Sequence, residues 1–182
     1  MVRLSALFAL LVGPATAECL SRVPQELRFA DGGNMVILAH SAQDVTYRTA
    51  MPDGRVTVTT TREGLFPVTV AQAGTILRYN WVQNLPHLAE LEPGDAASLQ
   101  ADMVVEQAHT SYFSLDYKVL RAGVVTLGPC AYPVLVVAQT QRLDGRTVAV
   151  LTQWISATLR VPLRTEATAD GRTFSRQVVT LD

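Results

Sequence analysis

The sequence has little of the chemistry that identifies the common enzyme classes. Its 182 residues include only three histidines, His40, His87 and His109, and no two of them have the close spacing of a zinc motif. The glycine-rich phosphate-binding patterns and the Gly-x-Ser-x-Gly turn of α/β-hydrolases are absent as well. An enzyme would need several of these histidines to converge with acidic residues. We therefore expect a protein without catalytic activity, metal or cofactor.

Charged residues are also scarce, at 17% of the chain, and 15 basic residues nearly balance 16 acidic ones. No basic patch stands out, so nucleic acid is not expected as a partner. Past the N-terminus, no apolar run approaches the roughly 20 residues that a transmembrane helix needs. The sequence thus predicts no transmembrane anchor once the N-terminal segment is removed.

The N-terminal residues have the layout of a secretory signal peptide. Arg3 supplies a positive charge, residues 4–12 form a short apolar run, and Ala15-Thr16-Ala17 provides small residues for cleavage. We predict a signal peptide at residues 1–17 and a single all-β domain at residues 18–182, located in the periplasm or secreted. Glu18, and not a small residue, precedes Cys19, so lipidation is not expected.

Cysteine is rare too, with Cys19 and Cys130 as the two examples. In an exported protein an even number favours a disulfide, which here would fasten the N-terminus to a strand far along the chain. The alternative is two buried free thiols. No Cys-x-x-Cys pair occurs, so a redox role is not expected.

The chain does contain the signals of antiparallel β-structure. Asp-Gly steps favour the tight turns of β-hairpins, and they occur at four points: Asp31-Gly32, Asp53-Gly54, Asp144-Gly145 and Asp170-Gly171. Between these turns, about eight to ten runs have the composition or alternation of strands. A helical turn is expected only at residues 87–91. We predict an all-β fold, an antiparallel meander that curves into a half-barrel or open barrel with little helix.

Aromatic side chains recur on the predicted strands. Residues 75–82 and 110–121 alternate between an apolar and a polar face, as half-buried strands do. One interpretation is that the aromatic residues form an ordinary core. The other is that they line an apolar cavity for a lipid-like ligand. The candidate lining residues are Tyr79, Trp81, Phe113, Tyr117 and Trp154.

Residues 125–182 carry a resemblance to known proteins. The matching features are Gly128, the hairpin at Asp144, Trp154-Ile155-Ser156, Leu159, Pro162-Leu163-Arg164 and the turn at Asp170-Gly171. This arrangement resembles a module of exported bacterial β-proteins of uncharacterised function. Those proteins are similar in outline to the LolA-like periplasmic carriers, whose curved half-barrel holds acyl chains. The resemblance implies a half-barrel fold and transfers no functional residue to this chain.

Three hypotheses follow for function. The first is an exported, non-enzymatic envelope protein that binds an apolar or lipid-like small molecule or another envelope protein. The second is a structural or protein-interaction module with a solid core, whose exposed strand edge recruits a partner. The third is an enzyme.

Overall fold

The computed structural model describes residues 19–105, 108–169 and 171–182. The predicted signal peptide at residues 1–17 lies outside this range. Within it, every regular element except one is a β-strand. The strands are β1 (Glu26–Phe29), β2 (Asn34–His40), β3 (Asp44–Ala50), β4 (Val56–Arg62), β5 (Phe66–Gln72), β6 (Thr75–Trp81), β7 (Ala96–Val105), β8 (Ala108–Leu127), β9 (Cys130–Leu143), β10 (Arg146–Ser156), β11 (Val161–Ala169) and β12 (Arg172–Leu181).

The strands form a closed barrel. Each pairs antiparallel with its neighbours in sequence, and β1 pairs with both β2 and β12, which joins the two ends of the meander. The predicted half-barrel or open barrel is therefore wrong, whereas the all-β antiparallel meander is confirmed. The closing strand β1 has only four residues, too few to show an alternating pattern, and sequence analysis did not identify it. It also did not identify β5, in which Pro67 obscures the strand signal.

The Asp-Gly steps lie at hairpin turns, as predicted. Asp144 and Gly145 both have positive φ, 48° and 77°, as a type I′ turn requires. Asp31-Gly32 joins β1 to β2 and Asp53-Gly54 joins β3 to β4, with positive φ at the glycine. Asp170, in the last of these turns, lies outside the described residues.

Two hydrophobic cores fill the molecule. The first core combines residues of β1–β3 with the β10–β11 connection, β11, β12 and the distal β8–β9 hairpin: Leu27, Phe29, Met35, Val45, Val125, Cys130, Tyr132, Val134, Leu159, Val161, Leu163 and Val178. The second core comes from the β4–β5 turn, β5, β7–β10 and the β6–β7 connection: Leu65, Phe66, Leu88, Leu99, Ala101, Met103, Phe113, Leu115, Tyr117, Val119, Val137 and Ile155.

The β8–β9 hairpin reaches beyond its neighbours and is tied to the start of the described chain. Within the described residues, 121–127 of β8 pair with β9 and not with β7. The predicted disulfide is present, and the Cα atoms of Cys19 and Cys130 are 5.5 Å apart. The backbone N–H of Leu20 also donates to the Tyr132 hydroxyl at 3.3 Å. Residues before β1 are thus held against the first core.

The β6–β7 connection contains a 3₁₀ turn at Leu88–Glu90, which confirms the predicted helical turn. Leu88 is 1% exposed and belongs to the second core, so this connection packs onto one end of the barrel. No helix among the described residues is long and apolar enough to cross a membrane.

Candidate functional site

The larger cavity, of about 700 Å³, lies at the end of the barrel where β1–β2, β3–β4 and β11–β12 turn. A meander places alternate turns at the same end, so these three turns meet around one opening. The lining residues from the turns and nearby strand ends are Asp31, Met51, Pro52, Asp53, Arg55, Arg172, Thr173, Phe174, Ser175 and Arg176. The strands supply the wall: Phe29, Met35, Tyr47, Thr49, Thr57, Thr59, Gln153, Pro162 and Thr165.

The wall mixes apolar groups with hydroxyl and amide groups. Strand β4 shows the reason, because its threonine face turns inward: Thr57 and Thr59 line the cavity and Thr61 is 5% exposed. Its valine face turns outward, and Val56 is 41% exposed. A strand in a packed core would bury the valines, so β4 is suited to a cavity that holds polar as well as apolar groups.

Two polar side chains in the wall, Tyr47 and Gln153, have a defined protonation state or hydrogen-bond partner. Burial raises the pKa of Tyr47 to about 12, so its phenol stays protonated and can donate a hydrogen bond. Gln153 accepts a hydrogen bond of 2.7 Å from the amide of Gln139, which is 2% exposed. These groups provide fixed hydrogen-bonding positions inside a largely apolar wall.

Arg176 is the most enclosed charge at the cavity, with a side chain that is 11% exposed. Its Nε donates to Asp31 Oδ2 at 3.0 Å, and its Nη2 lies 2.8 Å from the sulfur of Met51. The guanidinium carbon lies 4.5 Å from the centre of the Phe29 ring. A Cβ atom at Gly33 would lie 2.8 Å from Nη2, so glycine at this position leaves room for the guanidinium.

The outer charges are more exposed. Arg55 pairs with Asp53 at 2.7 Å, and both side chains are more than half exposed. Hydrogen bonds from the backbone and side chain of Arg55 hold the pKa of Asp53 below its ordinary value. Arg172 has no acidic partner within the described part of the chain. Among the described residues, the lining of the opening therefore includes three arginines and two aspartates.

A smaller cavity of about 600 Å³ lies at the opposite end of the barrel, beside the β6–β7 connection. Its most enclosed charge is Glu63, which is 8% exposed and has a left-handed φ of 56°. Nδ1 of His87 lies 3.0 Å from Glu63 Oε1. This hydrogen bond, together with the charges of Glu63 and Glu90, raises the pKa of His87. The pair links the β6–β7 connection to the β4–β5 turn.

Four of the five aromatic residues proposed from the sequence come together at the second core. Tyr79 and Trp81 pack edge-on against Phe113, with ring centres 4.9 and 5.9 Å apart, and both line the smaller cavity. Phe113 and Tyr117 are buried. Phe66, which sequence analysis did not single out, lies 6.1 Å from Trp81 and 5.9 Å from Tyr117. The four residues and Phe66 form a packed cluster at one end of the barrel.

Trp154 lies apart from this cluster, beside the first core and 4.6 Å beneath the guanidinium of Arg164. The larger cavity has a different lining, which sequence analysis missed because it looked for an aromatic face. One signal was available in the sequence, the arginines next to two of the Asp-Gly turns that line the cavity, Arg55 and Arg172.

His40 and His87 do not belong to a metal site within the described part of the chain. Among the described side chains, no group of three or more His, Cys, Asp and Glu residues is placed to hold a metal ion. The side chain of His109 lies outside the described part of the chain.

No family model and no curated protein matches the chain. Among solved structures, the hypothetical lipoprotein YmcC from Escherichia coli (K12) is similar, with a TM-score of 0.50 and 9% identity over 85% of this chain and 82% of that one. A protein with a YmcC-like fold from Bacteroides fragilis NCTC 9343 has a TM-score of 0.45 and 13% identity over 90% of this chain and 100% of that one. The likeness to YmcC concerns the fold alone. These comparisons do not support the predicted resemblance to LolA-like carriers.

Proposed function

We propose that this chain is an exported, non-enzymatic protein whose barrel binds an apolar or amphipathic small molecule in the larger cavity. The observation that carries the proposal is the cavity itself. Its volume of about 700 Å³ is typical of small-molecule sites, which span roughly 300–1,000 Å³. Its wall offers apolar surface together with a few fixed polar groups, as such sites do.

Export is supported by two features. The disulfide between Cys19 and Cys130 is of a kind that persists in oxidising compartments and is rare in the cytosol. The predicted signal peptide at residues 1–17 fits the same location, periplasmic or secreted. YmcC, which has a similar fold, is described as a lipoprotein.

A binding role fits the cavity better than a structural one. The hypothesis of a protein-interaction module rested on a solid core and an exposed strand edge. Closure of the barrel pairs β1 with β12 and so occupies the two outer edges that an open sheet would offer. Among the described residues, 121–127 of β8 still present an edge that β7 does not cover. The cavity also replaces what would be solid core at that end. Its described lining contains no histidine or cysteine, the residues that most often serve as base or nucleophile.

The proposal is tested by filling the cavity. Thr57→Phe places a ring in the wall, whereas Val56→Phe, the adjacent residue of β4, points outward and serves as the matched control. We expect the wild type and Val56→Phe to bind the neutral apolar probe N-phenylnaphthylamine with enhanced fluorescence. Thr57→Phe should lose about tenfold or more in affinity at an unchanged melting temperature.

Native mass spectrometry of gently purified protein supplies a second measurement. An adduct that is present in the wild type and absent in Thr57→Phe would support the proposal. A wild type that is always empty and that also fails to bind the probe would overturn it.

A further inference from the structure

We propose that the ligand of the larger cavity carries an anionic head group, a carboxylate or a phosphate, which binds to Arg176 and its neighbouring arginines. This inference rests on the proposed function and names the class of ligand: an anionic amphiphile.

The hydrogen bonding of Arg176 within the described residues is incomplete. A guanidinium has several N–H donors and no acceptor. Among the described residues, the oxygen acceptor is Asp31, which takes the Nε–H at 3.0 Å. Nη2 instead faces the thioether sulfur of Met51 at 2.8 Å, a weak acceptor. No Arg176 nitrogen is among the buried unpartnered atoms of the described residues, so the donors that are left over face accessible space. An anionic oxygen in the cavity would use the remaining donors.

The guanidinium of Arg176 is held in place by its neighbours. Its carbon lies 4.5 Å from the centre of the Phe29 ring, a cation–π contact, and a guanidinium is more weakly hydrated than an ammonium. Gly33 gives it space, since a Cβ there would lie 2.8 Å from Nη2. A fixed planar fork suits the two oxygens of a carboxylate or phosphate. The Arg176 side chain is therefore already ordered in the free protein, so the ligand does not have to order it on binding.

The charge around the opening also favours an anion. The chain as a whole has a formal net charge of −1. Among the described lining residues the balance is reversed, because Arg55, Arg172 and Arg176 outnumber Asp31 and Asp53. A charged cleft with low-dielectric walls attracts ions of the opposite sign, which here are anions.

The rest of the ligand is indicated by the exposed apolar surface at the cavity. Phe29 and Met35 are 6% and 4% exposed, but Phe174, in the same lining, is 48% exposed. A small inorganic anion would leave the Phe174 ring in contact with water. An apolar chain attached to the anionic group would cover it, at a gain of roughly 25 cal/mol for each Å² buried.

The experiment compares probes that share one apolar chain and differ in the head group: dodecanoate, dodecyl phosphate and neutral dodecanol. Each displaces N-phenylnaphthylamine from the full mature chain, below its micelle concentration. We expect at least one anionic probe to bind about tenfold or more tightly than dodecanol. The stronger of the two anions identifies the head group.

Equal binding of all three probes would overturn the anionic head group and leave the proposed function intact. Failure of all three, with no binding of N-phenylnaphthylamine, would overturn both. High salt should weaken the binding of the anionic probes and leave the binding of dodecanol unchanged, because salt screens the interaction between charges.

Two variants assign the effect to Arg176. Arg176→Gln should bring the anionic probes to the affinity of dodecanol, whereas Arg146→Gln, at an exposed arginine outside the cavity, should leave the preference unchanged. Because Arg176→Gln leaves Asp31 without its partner and threatens folding, Asp31→Asn gives an independent test. In the wild type the Gly33 N–H donates to Asp31 Oδ1 at 2.9 Å, and the side-chain oxygen of an asparagine at this position can still accept that hydrogen bond.

Removing the charge of Asp31 frees Arg176 from its competing anion. We expect Asp31→Asn to bind the anionic probes about three- to tenfold more tightly and dodecanol as before. A purely structural ion pair would give no such gain. An anion affinity that is unchanged or weaker in Asp31→Asn would overturn the assignment of Arg176.

Discussion

Gly64→Ala is a test of how the end of the barrel beside the smaller cavity is built. Gly64 lies in the β4–β5 turn with a φ of 70°. A Cβ atom at this position would lie 2.4 Å from the carbonyl oxygen of Arg160 and 2.7 Å from its carbonyl carbon. Both are backbone atoms, so the clash cannot be relieved by turning a side chain. The turn and the β10–β11 connection would have to separate.

Two costs combine in this variant. A left-handed conformation costs a non-glycine residue roughly 1–2 kcal/mol. Forcing extra volume into a packed position costs roughly 1–3 kcal/mol more. We expect Gly64→Ala to lower the free energy of unfolding by about 2–5 kcal/mol. The matched control is Gly74→Ala, where φ is 85° and nothing lies within 4 Å of the added Cβ. It should cost only about 1–2 kcal/mol.

Urea unfolding followed by tryptophan fluorescence measures both variants, and an unchanged slope against denaturant allows their stabilities to be compared. The difference between them isolates the contact between the β4–β5 turn and Arg160. Equal losses for Gly64→Ala and Gly74→Ala would refute the reasoning, because they would show that the backbone contact imposes no cost.

Two further predictions concern the disulfide and the histidine pair. Replacing Cys19 and Cys130, 111 residues apart, with serine should lower the free energy of unfolding by up to about 4.8 kcal/mol in the chain-entropy model; a loss under about 1 kcal/mol in urea would contradict it. His87, whose ordinary pKa of 6.5 is raised by Glu63, should stabilise the fold below that value and lose this effect as pH rises through the higher folded pKa. The stability gap between wild type and His87→Gln should therefore shrink from about pH 5 to about pH 9, and a gap independent of pH would contradict the ion pair.

Local patterns predicted much of the secondary structure. The alternation around Tyr79 and Trp81 predicted β6, and that around Phe113 and Tyr117 predicted β8, because side chains on a strand alternate between its two faces. The Asp144-Gly145 step predicted its hairpin because both residues tolerate positive φ. These signals are local and need no knowledge of the rest of the chain.

The candidate site was less accessible to sequence analysis. The alternation of threonine and valine in β4 predicts that one face is buried, but it does not show that the threonine face is the one that points inward. Arg176 and Asp31 are 145 residues apart and meet only because β1 and β12 are adjacent in the barrel. Phe66 joins the aromatic cluster through β5, a strand that Pro67 conceals.

The sequence by itself predicted an antiparallel β meander, because alternation and turn chemistry act through neighbouring residues. The number of cysteines favoured a disulfide but left free thiols possible, and the structure shows the bond. Only the tertiary structure decided that the meander closes. Closure depends on the four-residue strand β1, three residues of which pair with β12 at the other end of the chain. That pairing also creates the larger cavity, because it brings Phe29 and Asp31 beside Arg176. Contacts between such distant residues follow from the path of the whole chain and leave no local pattern.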